Sequence, residues 1–105
     1  MYNLNHIHLK SNNPESSADW WVANFGFEIV DDSTRDTGDR FIKCRSANGI
    51  PVNISGPLEG QTLPESDAGP NLGLEHFGFD VDDIDAELER LAAVGAPIVD
   101  GPNQL

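Results

Sequence analysis

The sequence predicts an α+β fold in which a β-α-β-β-β module occurs twice, the second time incompletely. Short segments alternate apolar and polar residues at period two, which is typical of half-buried strands. Two longer segments repeat apolar residues at the 3.6-residue period of a helix and carry helix-start and helix-stop residues. The order strand, helix, strand then recurs seventy residues further along the chain.

The first module opens with a strand over residues 4–10 and continues into a helix. Asn13 suits the N-cap of that helix, Pro14 its first position, and Gly26 the position just past its end. Its apolar stripe consists of Ala18, Trp21, Val22 and Phe25. This spacing predicts a helix that packs one face on a sheet.

Three more strands are predicted in the first module. They cover residues 27–30, 40–44 and 51–55, with a polar turn over 31–39 and a tighter turn at 47–49. Residues 56–73 are rich in Gly and Pro and predict a linker or long loop. The predicted organisation is therefore a single domain, 1–105, with module one at 1–55, the linker at 56–73 and module two at 74–105.

The second module repeats the first with a strand over 74–81 and a helix capped by Asp82 or Asp83. Its apolar stripe consists of Ile84, Leu88, Leu91 and Ala92. Gly95 ends the helix, and residues 96–99 begin another strand. A shift of seventy residues places His6 on His76 and Asn13 on Asp83.

The second module is predicted to lack its last two strands, because six residues follow Val99. The chain is then a fragment, or another chain covers the sheet edge. An uncovered edge invites pairing with another strand, so we expect a homodimer.

The charge of the chain narrows the classes of partner. Eighteen Asp and Glu residues against six Lys and Arg give a formal net charge of −12, which disfavours nucleic acid and anionic membranes. A cationic ligand or a divalent metal fits this charge, as does a merely solvated surface. The single cysteine excludes an internal disulfide and, with no apolar signal segment, indicates a cytoplasmic protein.

Two histidines occupy equivalent places in the two modules. If the helices cover the strand faces bearing Ile7 and Phe77, then His6 and His76 lie on the opposite face, together with Asn53. Two imidazoles and one oxygen ligand form a first shell for a divalent metal, although a single strand histidine is more often a hydrogen-bonded surface or core residue.

His8 and Trp20 are candidates for substrate binding. His8 has no counterpart in the repeat because Gly78 stands at the equivalent position, so a role beside a metal or in a pocket fits it better than ligation. Trp20 lies off the helix stripe, where it meets a pocket, a partner subunit or simply solvent.

The stretches LNHIHL, NFGFEIV and EHFGFDVDDIDA, in this order, resemble the vicinal oxygen chelate superfamily. That superfamily includes glyoxalase I, bleomycin-resistance proteins and extradiol dioxygenases. The resemblance implies a cup-shaped mixed sheet with the helices outside, and metal ligands on the first and last strand of each module. His6 and His76 match the first-strand ligands, and Asn53 stands where the family usually has Glu or Gln. The last-strand Glu of module two, a ligand and often the proton-transfer base, has no counterpart.

The resemblance implies a metal-dependent, glyoxalase-like lyase or isomerase that acts on a small oxygen-rich molecule. A divalent ion (Zn, Ni, Co, Fe, Mn or Mg) would act as Lewis acid, hold two substrate oxygens and stabilise an enolate. The missing Glu leaves open whether the chain is an enzyme. The alternatives are a metal-free drug-binding protein of the bleomycin-resistance type and an extradiol-type dioxygenase.

Overall fold

Two units make up the chain in the computed structural model, which describes residues 1–103. Unit 1 is Met1–Pro64 and unit 2 is Glu65–Leu105. In chain order, the elements are β1 (Ile7–Lys10), α1 (Pro14–Phe25), β2 (Glu28–Thr34), β3 (Arg40–Arg45), β4 (Pro51–Ser55) and α2 (Ile84–Ala93). The predicted α+β class is confirmed.

The four strands of unit 1 form one mixed sheet in the order β1-β4-β3-β2. β1 runs parallel to β4, and the other neighbours are antiparallel. The register places His8 opposite Asn53, and Asn53 opposite Lys43 on the other side of β4. Side chains that are paired across neighbouring strands lie on the same face of a sheet. These three residues therefore share one face.

The opposite face of the sheet carries the core, and α1 packs on it. The buried hydrophobic residues are Ala18, Phe27, Ile42, Cys44, Val52 and Ile54. Leu9, Trp21 and Phe25 pack against this cluster. Burying one Ile or Leu side chain in this way contributes about 1.5–3 kcal/mol, so the few strand residues of the cluster hold the sheet and helix together.

The ends of α1 follow the predicted signals. The Asn13 side chain accepts a hydrogen bond from the Ser16 backbone N–H at 3.1 Å, and Gly26 takes a left-handed conformation with φ of 68°. Glycine is favoured there because it has no Cβ to clash. Of the predicted stripe, Val22 is largely exposed and does not join the core.

β2 is longer than predicted and corrects two sequence expectations. The strand predicted at 27–30 extends to Thr34, so half of the predicted polar turn is strand. A bulge lies between Ile29, which pairs with Cys44, and Asp31, which pairs with Lys43. Beyond the bulge, Asp32 accepts hydrogen bonds from Arg40 at 2.9 and 2.6 Å. Cross-strand pairing and this ion pair hold residues that are locally poor strand formers. The first strand likewise begins at Ile7 rather than at residue 4.

Within the described residues of unit 2 there is one helix, and its ends also follow the predicted signals. The Asp83 side chain accepts a hydrogen bond from the Ala86 N–H at 3.1 Å, and Gly95 follows the helix with φ of 89°. No residue of α2 is buried. Neither α1 nor α2, the helices found within residues 1–103, is long and apolar enough to cross a membrane.

The strands predicted at 74–81 and 96–99 are wrong, since the structure has no strand in either segment. The reason lies in how strands are stabilised. In unit 1, β1 pairs only with β4, the last strand of its module. A first strand in unit 2 needs the same kind of partner, and residues 82–103 form a helix and no strand. A strand without a partner leaves its backbone hydrogen bonds unmade.

Candidate functional site

One face of the unit 1 sheet carries His8 and Asn53, two of the residues that the sequence singled out. It is the face opposite α1, and we call it the polar face. Along β1, β4 and β3 its members are His8, Lys10, Asn53, Ser55, Phe41, Lys43 and Arg45. Because successive strand residues alternate between faces, this surface is fixed by the same register that buries the core.

His8 is held at one place on the polar face. Its Nε2 and the buried Ser55 hydroxyl share a hydrogen bond of 2.6 Å, and its ring meets Phe41 edge-on with centroids 5.2 Å apart. The pKa of His8 is lowered, first by burial and then by the positive charges of Lys10 and Arg35. His8 therefore presents a neutral imidazole at neutral pH.

The turn between β2 and β3 carries a polar cluster that the sequence did not predict. The Arg35 guanidinium lies 4.4 Å from the centre of the Phe41 ring, and its Nε donates to Asp39 at 2.9 Å. Thr37 donates to the other oxygen of Asp39, which is 1% exposed. The hydrogen bonds from Arg35 and then Thr37 lower the pKa of Asp39 to about 2. The cluster thus keeps a buried carboxylate charged.

His6, the first predicted metal ligand, directly precedes β1 and lies two residues before His8. It is exposed, and its Nδ1 is 3.0 Å from the Asn5 side-chain oxygen. Metal-binding histidines commonly donate one ring N–H to such an oxygen and bind the metal with the other nitrogen. His6 fits a metal ligand in this respect, because its Nε2 has no hydrogen-bond partner among residues 1–103.

Asn53 and His76 complete the predicted ligand set. Asn53 is half-buried on the polar face and offers a neutral amide oxygen, a weaker donor than a carboxylate. His76 is exposed and belongs to unit 2, so its convergence with His6 stays a prediction. Within residues 1–103, no three side chains drawn from His, Cys, Asp and Glu form a group able to hold a metal. The predicted set contains two such residues and an amide.

Trp20 lies on α1 and therefore on the other side of the sheet from His8. It lines a shallow depression of about 370 Å³ with Ser16, Ser17 and Trp21. Its ring meets Trp21 edge-on, with centroids 5.2 Å apart. The structure does not bring Trp20 together with the polar face, and its role in binding stays a prediction.

The described fold agrees with what known proteins show. Residues 3–104 match the model of the Glyoxalase/Bleomycin resistance protein/Dioxygenase superfamily. The chain belongs to this superfamily. The match includes both units and nearly all of the sequence, so the family assignment does not depend on the first module alone.

Solved structures of other superfamily members share this fold. A glyoxylase/bleomycin resistance protein/dioxygenase domain from Frankia sp. EAN1pec is 21% identical, with a TM-score of 0.73 over 90% of this chain and 70% of that one. The fosfomycin resistance protein FosX from Listeria monocytogenes, in complex with Mn(II) and 1S,2S-dihydroxypropylphosphonic acid, is 21% identical. Its TM-score is 0.68, over 90% of this chain and 71% of FosX.

A 4-hydroxyphenylpyruvate dioxygenase is also similar to this chain in sequence. The 4-hydroxyphenylpyruvate dioxygenase of Caenorhabditis elegans is 28% identical over 102 residues, which is 91% of this chain. The chain spans 25% of the length of that dioxygenase. The family model establishes the superfamily and the solved structures share its fold, and the reaction is a separate question.

Proposed function

We propose that this protein is a metal-dependent, glyoxalase-like enzyme of the lyase or isomerase type that acts on a small oxygen-rich molecule. The observation that carries the proposal is His6, an exposed imidazole with one ring nitrogen open, adjoining the face that bears Asn53. Superfamily membership supports it, and so does the Mn(II) in the FosX structure.

His6 and His76 would hold the metal, with Asn53 as a weak third donor or a contact to substrate. When bound there, a divalent ion supplies Lewis-acid polarisation of substrate oxygens. His8 would border the bound molecule as a hydrogen-bonding group, and the contact with Ser55, which fixes one of its ring nitrogens, supports this role. The buried, single cysteine suits a cytoplasmic protein, and a homodimer is part of the proposal.

A dioxygenase is the second candidate function. The similarity to the C. elegans dioxygenase favours it over other reactions of the superfamily. Both candidates need a metal, whereas the third, a drug-binding protein of the bleomycin-resistance type, needs none. Metal affinity therefore separates the first two from the third, and the preferred metal separates the first two, since iron suits oxygen chemistry.

Metal binding of three histidine variants tests the proposal. The purified protein is stripped of metal and titrated with Mn(II), Fe(II), Ni(II) and Zn(II), with bound metal measured by mass spectrometry. We expect His6→Ala and His76→Ala each to weaken metal binding by about tenfold or more, because each removes one donor.

His8→Ala is the matched control, because it removes an imidazole two residues from His6 whose ring nitrogen is already held by Ser55. We expect it to change metal affinity little. Circular dichroism confirms that each variant is folded. Unchanged metal binding in both His6→Ala and His76→Ala would refute the ligand assignment.

A further inference from the structure

The positive charge of this acidic chain is concentrated on three neighbouring strands. β1, β4 and β3 contain none of the eighteen Asp and Glu residues and four of the six Lys and Arg residues. The four are Lys10, Arg40, Lys43 and Arg45. Together these three strands therefore carry positive charge, although the net charge of the chain is −12.

These four cations differ in whether a carboxylate neutralises them. Arg40 points to the α1 side, where it pairs with Asp32 at 2.6 Å and Glu15 at 2.8 Å. On the polar face, Lys10 donates to the Gly56 carbonyl at 2.9 Å. Among residues 1–103, Lys43 and Arg45 have neither an ion pair nor a side-chain hydrogen bond.

The cross-strand neighbours of these two cations on the edge strand β2 are carboxylates. Asp31 is opposite Lys43 and Glu28 is opposite Arg45 in the register. Neither carboxylate forms an ion pair with its cross-strand neighbour in the described residues, and both are exposed to water. Because these exposed carboxylates form no ion pair with them in the described residues, Lys43 and Arg45 stay available to contact an anion.

Lys43 and Arg45 are two residues apart on β3, so their side chains start about 6–7 Å apart on one face. Both side chains are exposed and long enough to converge on one small anion. Asn53 is the cross-strand neighbour of Lys43, and His8 is the neighbour of Asn53. An oxygen-rich molecule at Asn53 would therefore extend its charged end toward β3.

We propose that Lys43 and Arg45 form an oxyanion anchor on the polar face, and that the molecule bound there carries a carboxylate or phosphate-like group. The inference rests on the proposed function only in placing the reacting oxygens near His6 and Asn53. It replaces the cationic ligand that the net charge favours with an anionic one. The ammonium group of Lys43 and the guanidinium group of Arg45 would recognise the charge and the geometry of such a group.

Phosphate binding to the full chain tests the anchor. Metal is removed on a chelating resin, because a soluble polycarboxylate chelator would compete for the site. Inorganic phosphate is then titrated at constant ionic strength and followed by ¹⁵N NMR, including the arginine side-chain signals. We expect shifts centred on β3 and β4, and an affinity at least about fivefold weaker in Lys43→Gln and Arg45→Gln, since each loses a charged donor.

Arg90→Gln is the matched control, because it makes the same change of residue and charge on α2 in unit 2. It should leave phosphate affinity unchanged, and Arg45→Lys should restore part of it. An equal loss of phosphate affinity in Arg90→Gln would mean that phosphate responds to the overall charge of the protein and not to the anchor. That result would overturn the proposal. So would shifts of the same signals by tetramethylammonium and not by phosphate.

The two proposals fail separately. A protein that binds phosphate at Lys43 and Arg45 but takes up no metal would refute the metal-dependent function and support the anchor. A protein that binds metal through His6 and His76 but no phosphate would support the function and refute the anchor.

Discussion

Units 1 and 2 carry the same local signals and differ in what those signals produce. Each unit has a helix with an Asn or Asp N-cap whose side chain accepts a backbone N–H at 3.1 Å. Every buried hydrophobic residue among 1–103 nevertheless belongs to unit 1, and α2 buries none of its residues. Similar helices thus have very different amounts of tertiary support.

The difference shows that capping residues are enough to form a helix, whereas a complete sheet is needed to bury one of its faces. Caps act within three or four residues, so each unit contains everything they need. The core of unit 1 needs β4, which follows β1 by more than forty residues and pairs with both β1 and β3. Long-range pairing is the part of the repeat that unit 2 does not show in its described residues.

The largest expected effect comes from shortening a buried side chain in the core of unit 1. Ile54→Ala removes a side chain that is 0% exposed at the centre of the sheet and should lower the free energy of unfolding by about 2–5 kcal/mol. Leu88→Ala removes a side chain of similar size from α2, where it is half-buried. It should lower the free energy of unfolding by less than about 1 kcal/mol. Urea unfolding of both variants measures the difference. Equal losses would show that α2 is packed as firmly as the sheet.

A smaller effect is expected from removing the two N-caps. Asn13→Ala should lower the free energy of unfolding by about 1 kcal/mol, because α1 unfolds together with the core. Asp83→Ala removes an equivalent cap and should reduce helix content without moving the main transition, because no residue of α2 is buried. Circular dichroism gives the helix content and urea unfolding gives the transition. A main transition that moves more in Asp83→Ala than in Asn13→Ala would contradict this.

A third effect depends on pH and concerns Asp39. Its pKa is about 2 in the fold, below the ordinary value of 3.8. Its charge therefore stabilises unit 1 above pH 3.8, and this contribution is lost as the pH falls toward 2. Asp39→Asn should lower the urea midpoint at pH 6 and flatten its fall between pH 4 and pH 2.

Asp36→Asn is the control for this measurement, since it removes an exposed carboxylate from the same turn. It should leave the urea midpoint at pH 6 nearly unchanged and keep the slope of the wild type. If Asp39→Asn keeps that slope too, the acid sensitivity has its origin outside the Arg35–Asp39 pair.

Sequence reasoning predicted the features that depend on neighbouring residues. The bounds of α1, the strands β3 and β4, and the position of Asn53 on the histidine side of the sheet all follow from period and punctuation. The extent of β2 did not, because the polar residues 31–34 become strand only through pairing with β3. The strand expected at 74–81 was wrong for the converse reason.

The site was predicted less completely than the fold. The hydrogen-bond partner of His8 is Ser55, 47 residues away, and no local sequence pattern predicts such a contact. The net charge was also a poor guide to the charge of the sheet. It sums eighteen carboxylates over the whole chain, whereas β1, β3 and β4 contain none. A count of charges restricted to the predicted strands contains the signal that the total conceals.

The bulge in β2 bears on how the protein behaves at high concentration. β2 is an outer strand of the sheet, and a long, flat outer strand can recruit the same strand of another molecule and start aggregation. The bulge after Ile29 bends that edge, and Asp31 and Asp32 place one carboxylate on each face of it. Two such edges repel each other when they approach. The bulge and these carboxylates thereby disfavour the joining of sheets from separate molecules along β2.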